Sequence, residues 1–424
     1  MLTLLLACTP EPPPKPPEPE KKVAPADPIP AELTLNGPYY LHLSDVHLDQ
    51  SGASKDTNPA LWDVTKARLA QVVSSPNPPA FVIYTGDLPG HYTCEDEACG
   101  ITPAQAPAHS GDVKAVLADI ATIAGKIPVL YAPGNNDSLA GDYYSFADAS
   151  KVTPTSLVPG YPALNAGPTC DGAAPPCVVS NPAPGVGYYS ARPVEGLRVI
   201  ALNSVVFGNK YTPVDGLSQV DAGNAQMAWL RTELTGLGTD KALIILHIPP
   251  GKDAYAVSDN KTPNSMWARL PTPDNAWQDQ FIDLLGEFSA SVVGIAYGHT
   301  HMDELRRTYN RGAQMTEIAI GAPGITTIHG NNPAFKMVSY DAATKELTDW
   351  VTMWTVQGSE VWGKGGYRFS DAYECTNTTI FTCLSQPTYA DSATIDAIMR
   401  TYYRTGAGDP TYTTVSGIDV TVGQ

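Results

Sequence analysis

The chain has 424 residues, 43% of them hydrophobic, and a formal net charge of -17. That is enough for one sizeable domain or two small ones. The acidic balance argues against a nucleic-acid duplex as partner, because phosphate backbones need basic grooves; it reads first as an acidic solvent-facing surface, and part of it also suits a site whose carboxylates hold divalent cations.

From the N-terminus, Met1 to Cys8 is too short to span a bilayer. Leu5-Leu6-Ala7-Cys8 resembles the lipobox of a bacterial lipoprotein signal. That resemblance implies lipidation at Cys8 and export to the periplasmic or cell-surface side of a membrane. The customary basic start is missing, which points to a start codon assigned too late. Residues 9–36, rich in Pro, Glu, Lys and Ala up to Pro30, are expected to be a semi-rigid tether. The main domain is expected over 37–358, with 359–424 as an extension packed on it.

Tyr39 to Leu43 is apolar enough for a buried strand and runs into Ser44-Asp45-Val46-His47. On a pleated strand, residues i and i+2 point the same way, so Asp45 and His47 should reach one point. A carboxylate and an imidazole meeting there suit a divalent metal. Pro59 to Val73 reads as a helix, with Leu61, Val64, Leu69 and Val72 near helical spacing. Ala80 to Tyr84 is a second strand, ending in Thr85-Gly86-Asp87-Leu88-Pro89-Gly90-His91. Asp112 to Gly125 is a helix, and Ile127 to Tyr131 a third strand that ends in Gly134-Asn135-Asn136-Asp137.

Val152 to Val186, rich in Pro and Gly, reads as a loop excursion. Leu197 to Leu202 is a strand and Gly223 to Leu237 a helix. Ala242 to His247 is a strand ending in a histidine, and Trp277 to Ser289 a helix. Val292 to Tyr297 leads into Gly298-His299-Thr300-His301. Met315 to Ile320, Lys336 to Tyr340 and Leu347 to Val356 complete the strands, and Ser392 to Tyr403 closes the chain with a helix. This alternation is that of an α/β sandwich with largely parallel strands.

Apart from Cys8, the cysteines fall into three neighbouring pairs: Cys94 with Cys99, Cys170 with Cys177, Cys375 with Cys383. None has the Cys-x-x-Cys spacing of structural zinc. They read as loop staples formed in an oxidising compartment.

Five strand ends therefore carry Asp45 and His47, Asp87, Asn135, His247, and His299 with His301. In open α/β sheets ligands bind beyond the carboxyl ends of strands. Seven donors are too many for one tetrahedral ion; they suit two ions about 3.5–4 Å apart. The series Asp-x-His, Gly-Asp, Gly-Asn-x-Asp, His, Gly-His-x-His resembles the calcineurin-like metallophosphoesterases. Thr85 to His91, Gly298 to Glu304 and Asn332 to Phe335 resemble the acid sphingomyelinase-like branch.

The resemblance covers roughly Pro38 to Asp341. It implies a four-layer α/β/β/α sandwich of two mixed sheets and two divalent ions, zinc first, with manganese or iron as alternatives. It implies that Asp45, His47 and His301 hold one ion, that Asn135, His247 and His299 hold the other, and that Asp87 bridges. It also implies a metal-dependent phosphoric ester hydrolase using a metal-bridging hydroxide. Asn136 stands where most of the superfamily has histidine, which shifts the acid's role toward His91. Asp137 is expected to anchor its turn. The expected substrate is a soluble phosphodiester or nucleotide, with a membrane touched only through the lipid anchor. Gly134-Asn135-Asn136-Asp137 also resembles endopolyphosphatases, so polyphosphate or pyrophosphate hydrolysis is the alternative; a metal-bearing protein that binds phosphoesters without turnover is another. Tyr92, Tyr188, Tyr189, Trp267 and Tyr297 are candidates to pack a base or head group, or else to pack the core.

Overall fold

The computed structural model describes residues 25–52, 54–92, 99–160, 163–164, 169–253, 265–408 and 415–423. One mixed sheet holds, in spatial order, β14 (Gly365–Arg368), β13 (Leu347–Trp354), β12 (Ala334–Tyr340), β1 (Tyr39–Leu43), β2 (Phe81–Tyr84), β3 (Val129–Tyr131) and β4 (Ala163–Leu164). The other holds β15 (Asp419–Thr421), β10 (Leu305–Tyr309), β11 (Met315–Gly321), β9 (Val292–Tyr297), β8 (Lys241–Ile245), β7 (Leu197–Ala201), β6 (Tyr188–Val194) and β5 (Cys177–Ala183). β1, β2 and β3 run parallel, as do β7, β8, β9 and β11. Antiparallel strands flank both groups, so the sheets are less parallel than simple alternation predicts.

The two-residue period of a strand explains the layering. Tyr40, Phe81, Ile83, Val199, Leu243 and Ile245 point into one core between the sheets. Their neighbours Leu41, Leu43, Val82 and Tyr84 point outward against α1 (Pro59–Val73) and α2 (Ala106–Ala124). On the opposite side Ile200, Ala242 and Ile244 face α3 (Gln219–Thr235) and α4 (Trp277–Glu287). The result is helix, sheet, sheet, helix. Strands buried on both faces read as continuous apolar runs, which is why these were legible.

The segment after 359 joins the inter-sheet core through Tyr367, Phe369, Ile380, Ile395 and Tyr403. α5 (Ser392–Tyr402) and the residues after it brace the loops around the site. The Tyr403 carbonyl accepts from the Asp303 amide at 2.9 Å, and the Thr405 hydroxyl donates to the Asn332 carbonyl at 2.6 Å.

Several expectations need correction. α2 starts at Ala106 rather than Asp112, since Pro107 fits a first helical turn, where its missing N–H costs nothing. The supposed loop over 152–186 contains β5. Cys170–Cys177 and Cys375–Cys383 are disulfides, but Cys177 opens β5 and Cys383 lies in the helical turn Ile380–Leu384, not in loops. Cys8, Cys94 and most of the tether lie outside the described residues, and so does any pairing of Cys99 with Cys94. The core reading of the aromatic candidates, by contrast, holds for Tyr188, Tyr189, Trp267 and Tyr297, all buried, while the Tyr92 hydroxyl donates to Asp112 at 2.7 Å.

One buried acid should govern part of the pH dependence of stability. Glu317 on β11 is 3% exposed, and its carboxylate accepts from the Ile318 amide at 2.8 Å. Burial, opposed by that amide and reinforced by Glu346, raises it from its ordinary 4.5 to about 8. Below the lower value the group is neutral in both the folded and unfolded chain. Between the two values only the unfolded chain ionises, so folding loses stability as pH rises, and the loss is complete above the folded value. Glu317→Gln should therefore melt like the parent at pH 4 and several degrees higher at pH 8.5, in thermal scans by circular dichroism. Equal melting temperatures at pH 8.5 would refute this.

Candidate metal centre

Each candidate donor follows the C-terminal end of a strand: Asp45 and His47 after β1, Asp87 after β2, Asn135 after β3, His247 after β8, His299 and His301 after β9. Asp45, His47, Asp87, His299 and His301 have φ of 50°, 47°, 61°, 73° and 61°. Their side chains are therefore aimed by left-handed turns and not by the pleat of a strand, which corrects the strand argument for Asp45 and His47. Side-chain-bearing residues adopt this conformation at a cost, met only where surrounding structure enforces it. Glycine permits the close approach. A Cβ at Gly134 would sit 2.2 Å from the Asp87 amide nitrogen, and one at Gly298 would sit 1.9 Å from the Ser44 hydroxyl.

Two groups of donors share Asp87. Asp45, His47, Asp87 and His301 have ligand atoms within 4.8 Å of one another, and so do Asp87, His247 and His299. Oδ2 of Asp87 is 3.3 Å from Nε2 of both His47 and His247. Oδ1 of Asp45 is 3.4 Å from Nε2 of His301. The outward ring nitrogens are committed to backbone: Nδ1 of His47 to the Pro89 carbonyl at 3.0 Å, and Nδ1 of His247 to the Thr85 carbonyl at 2.5 Å. Only a protonated nitrogen can donate to a carbonyl, so each Nδ1 carries a proton and each Nε2 faces the carboxylates, where a second proton or a cation would sit. Carbonyl partners of this kind orient metal-binding histidines.

Asn135 provides a sharper test of fit. Its amide nitrogen donates to Asp142 at 2.7 Å, which turns Oδ1 toward His247 Nε2, 2.9 Å away. Two acceptors thus face each other, and a proton or a cation must lie between them. Nε2 of His47 is likewise buried without a hydrogen-bond partner. The donor set therefore fits divalent cations.

The charges agree. Burial disfavours the charged form of His47, yet Asp87, Asp56 and Asp45 outweigh it and raise the imidazole to about 9. His247 is raised to about 9 in the same way, chiefly by Asp87. Asp45 is raised to about 6 by burial. Asp87 is equally buried, but His247 and His47 hold it well below the usual carboxylate range. His299 and His301 are held low by burial and by the neighbouring imidazoles. Protons thus gather where cations would, and cation binding would release them.

His91 lies beside this cluster, its ring stacked on His47 with centroids 4.1 Å apart. Its partner, Asp56, was not found in the sequence. Asp56 Oδ1 is 3.0 Å from His91 Nδ1, and its Oδ2 accepts from the His91 amide at 2.7 Å. The Thr326 hydroxyl also donates to Asp56, at 3.1 Å. Burial opposes ionisation of Asp56, but His91 and His47 bring it down to about 2. The carboxylate can only accept, so Nδ1 of His91 carries a proton toward it and Nε2 lies on the far side of the ring. Asp56, His91 and His47 also lie within metal-ligand reach of one another, but Asp56 and His91 already satisfy each other.

Asn136, paired with His91 in the sequence reading, is engaged differently. Its backbone and side-chain amides donate to Asp87 at 2.8 and 3.0 Å, so it steadies that carboxylate. Asp137 anchors its turn as expected, accepting from the amides of Asp87, Leu88 and Gly134 and from the Tyr131 hydroxyl. All eight histidines of the chain belong to or touch this region. His42 bonds Thr85 at 3.0 Å, His109 bonds the Asn136 carbonyl at 3.2 Å, and the His329 ring lies 4.6 Å from that of His301. Histidine count alone could have pointed to His109 and His329.

The family model described as calcineurin-like phosphoesterase matches residues 39–303. Sphingomyelinase phosphodiesterase D of Dictyostelium discoideum is 28% identical over 170 residues, covering 38% of this chain and 35% of its own. Acid sphingomyelinase-like phosphodiesterase 3b of Mus musculus is 25% identical over 213 residues, covering 46% and 43%. Cyclic GMP-AMP phosphodiesterase SMPDL3A of Mus musculus is 27% identical over 176 residues, covering 39% and 36%. The similarity thus spans less than half the length of these relatives.

Proposed function

Because the chain belongs to the calcineurin-like phosphoesterase family, we propose that it is a two-cation phosphodiesterase that cuts a soluble phosphodiester or nucleotide. Asp45, His47 and His301 would hold one cation, and Asn135, His247 and His299 the other, with Asp87 shared. Zinc suits this mixture of imidazole and carboxylate donors, and manganese or iron would also fit. The observation that carries the proposal is the single Asp87 oxygen placed 3.3 Å from an imidazole of each group.

Bound divalent cations would polarise a phosphoryl oxygen and lower the pKa of a coordinated water. The chain's own residues do the rest. Asn136 holds Asp87 in place through two donated hydrogen bonds. His91, whose Nδ1–H is held by Asp56, can give a proton to the departing alkoxide from Nε2 while both ring nitrogens carry one. The His47 ring beneath it limits its rotation. Two disulfides agree with an oxidising compartment, and lipidation of Cys8 would tether the enzyme outside the cytoplasm. Among the described residues no helix is long and apolar enough to cross a membrane.

Metal analysis and a phosphoester panel test the proposal together. The expected result is two cations per chain, with hydrolysis of bis(p-nitrophenyl) phosphate that a chelator abolishes and added zinc restores. Release of phosphate from long-chain polyphosphate alone would favour the polyphosphatase reading. Two bound cations with no turnover across the panel would refute an enzyme and leave a binding protein.

A further inference from the structure

On the His299 side of the cluster a second strained turn presents an aromatic ring. Tyr143 has φ of 60°, a conformation that a bulky residue adopts only under constraint. The constraint is visible: its amide donates to the Asn135 carbonyl at 2.8 Å, and its carbonyl accepts from the Thr212 amide at 2.9 Å. Asn135, a candidate metal donor, thus also fixes where Tyr143 stands. The ring meets His299 edge-on, with centroids 6.3 Å apart and planes at 88°. Gly208 lies against it; a Cβ there would be 3.5 Å from two ring carbons.

Lys210 Nζ sits 5.2 Å from the centroid of the same ring. The attraction between ammonium and ring face holds a flexible, exposed side chain over the cluster's edge. Arg306, a buried cation near the cluster, is already paired with Glu304 at 2.9 Å. Lys210 has no such carboxylate partner among the described residues, yet its charge is felt at both Asp142 and His299.

We propose that Lys210, held over Tyr143 beside His299, receives a second phosphate attached to the one that is cleaved. The inference rests on the hydrolase reading above and narrows its substrate class to phosphoanhydride-bearing molecules such as nucleoside polyphosphates. A lysine suits a phosphate as a mobile point charge. The same arrangement disfavours a choline ester. A quaternary ammonium seeks an aromatic face, but this face already carries a cation, and like charges repel.

The test compares the metal-loaded parent with Lys210→Ala, Lys210→Glu and Lys210→Arg. Substrates are ATP and bis(p-nitrophenyl) phosphate, which has no second phosphate. The expected result is a roughly ten-fold fall in the ATP to bis(p-nitrophenyl) phosphate ratio of kcat/KM for Lys210→Ala, carried by KM. Lys210→Glu should lose more, and Lys210→Arg should recover most of the ratio. Calorimetry supplies a readout independent of turnover: imidodiphosphate should bind Lys210→Ala more weakly than it binds the parent, by a larger factor than inorganic phosphate does. An unchanged ratio in both Lys210→Ala and Lys210→Glu, with equal effects on the two anions, would overturn the proposal. If no phosphoester is cut at all, the hydrolase reading falls, and the two anion affinities still decide whether Lys210 reads a second phosphate.

Discussion

Replacing Asp87 by asparagine is expected to cut kcat/KM on bis(p-nitrophenyl) phosphate by at least about 10³-fold, roughly 4 kcal/mol of activation free energy. Metal content should fall from two ions per chain to one or fewer. The reason is local. Oδ2 of Asp87 faces the imidazoles of His47 and His247 at 3.3 Å each, so one negative charge serves both donor groups. Asparagine keeps the shape and can still accept from the Asn136 amide, but it brings no charge. The far-ultraviolet circular dichroism should therefore stay unchanged while metal and activity are lost. Activity and two bound ions retained in this variant would refute a shared ligand. Alanine at Asp45 should be milder in one respect, because the group around His247 and His299 does not contain it.

The second large effect is expected at His91. Its alanine variant should lose about 10²–10⁴-fold on substrates with a poor alkoxide leaving group, the range of positioned acid catalysis. On p-nitrophenyl esters the loss should be small, since that leaving group departs without a proton. Asp56→Asn should follow the same pattern more weakly. Asparagine keeps an acceptor for Nδ1–H but brings no negative charge to support the doubly protonated ring from which Nε2 gives its proton. The measurement is kcat/KM across a series of leaving groups, whose dependence on leaving-group pKa should steepen in both variants. Equal losses on good and poor leaving groups would remove His91 from the role of acid, and metal analysis of the same samples would show whether the stack on His47 was the cause.

Much of the molecule was legible because burial on both faces writes a simple pattern. Leu41 and Leu43 face one side of β1 and Tyr40 the other, so the strand appears as an unbroken apolar run. β10 was hidden because Arg306 and Arg307 fill it. Both are buried, and they are matched by Glu304 and Asp419 at 2.9 and 2.7 Å. β6 was hidden by Arg192 and Pro193, near which its pairing with β7 shifts register. The candidate donors were legible for a different reason: each lies within a few residues of a strand end, so a local motif marks it. Asp56 carries no such mark. It meets His91 across 35 positions and Thr326 across 270, and a carboxylate in a polar loop looks ordinary until its partners are folded around it.

The sequence by itself determined the order of strands and helices in the central part of the domain, the two-faced burial of its central strands, and the placing of seven candidate donors at strand ends. These depend on the periodicity of side chains along a local backbone, which is written residue by residue. Only the tertiary structure decided that both groups of candidate donors meet at Asp87, that left-handed turns and not strand pleat aim them, that Asp56 bonds His91, and that Lys210 stands over Tyr143. Those facts depend on distances between segments far apart in the chain, and packing between the two sheets sets such distances.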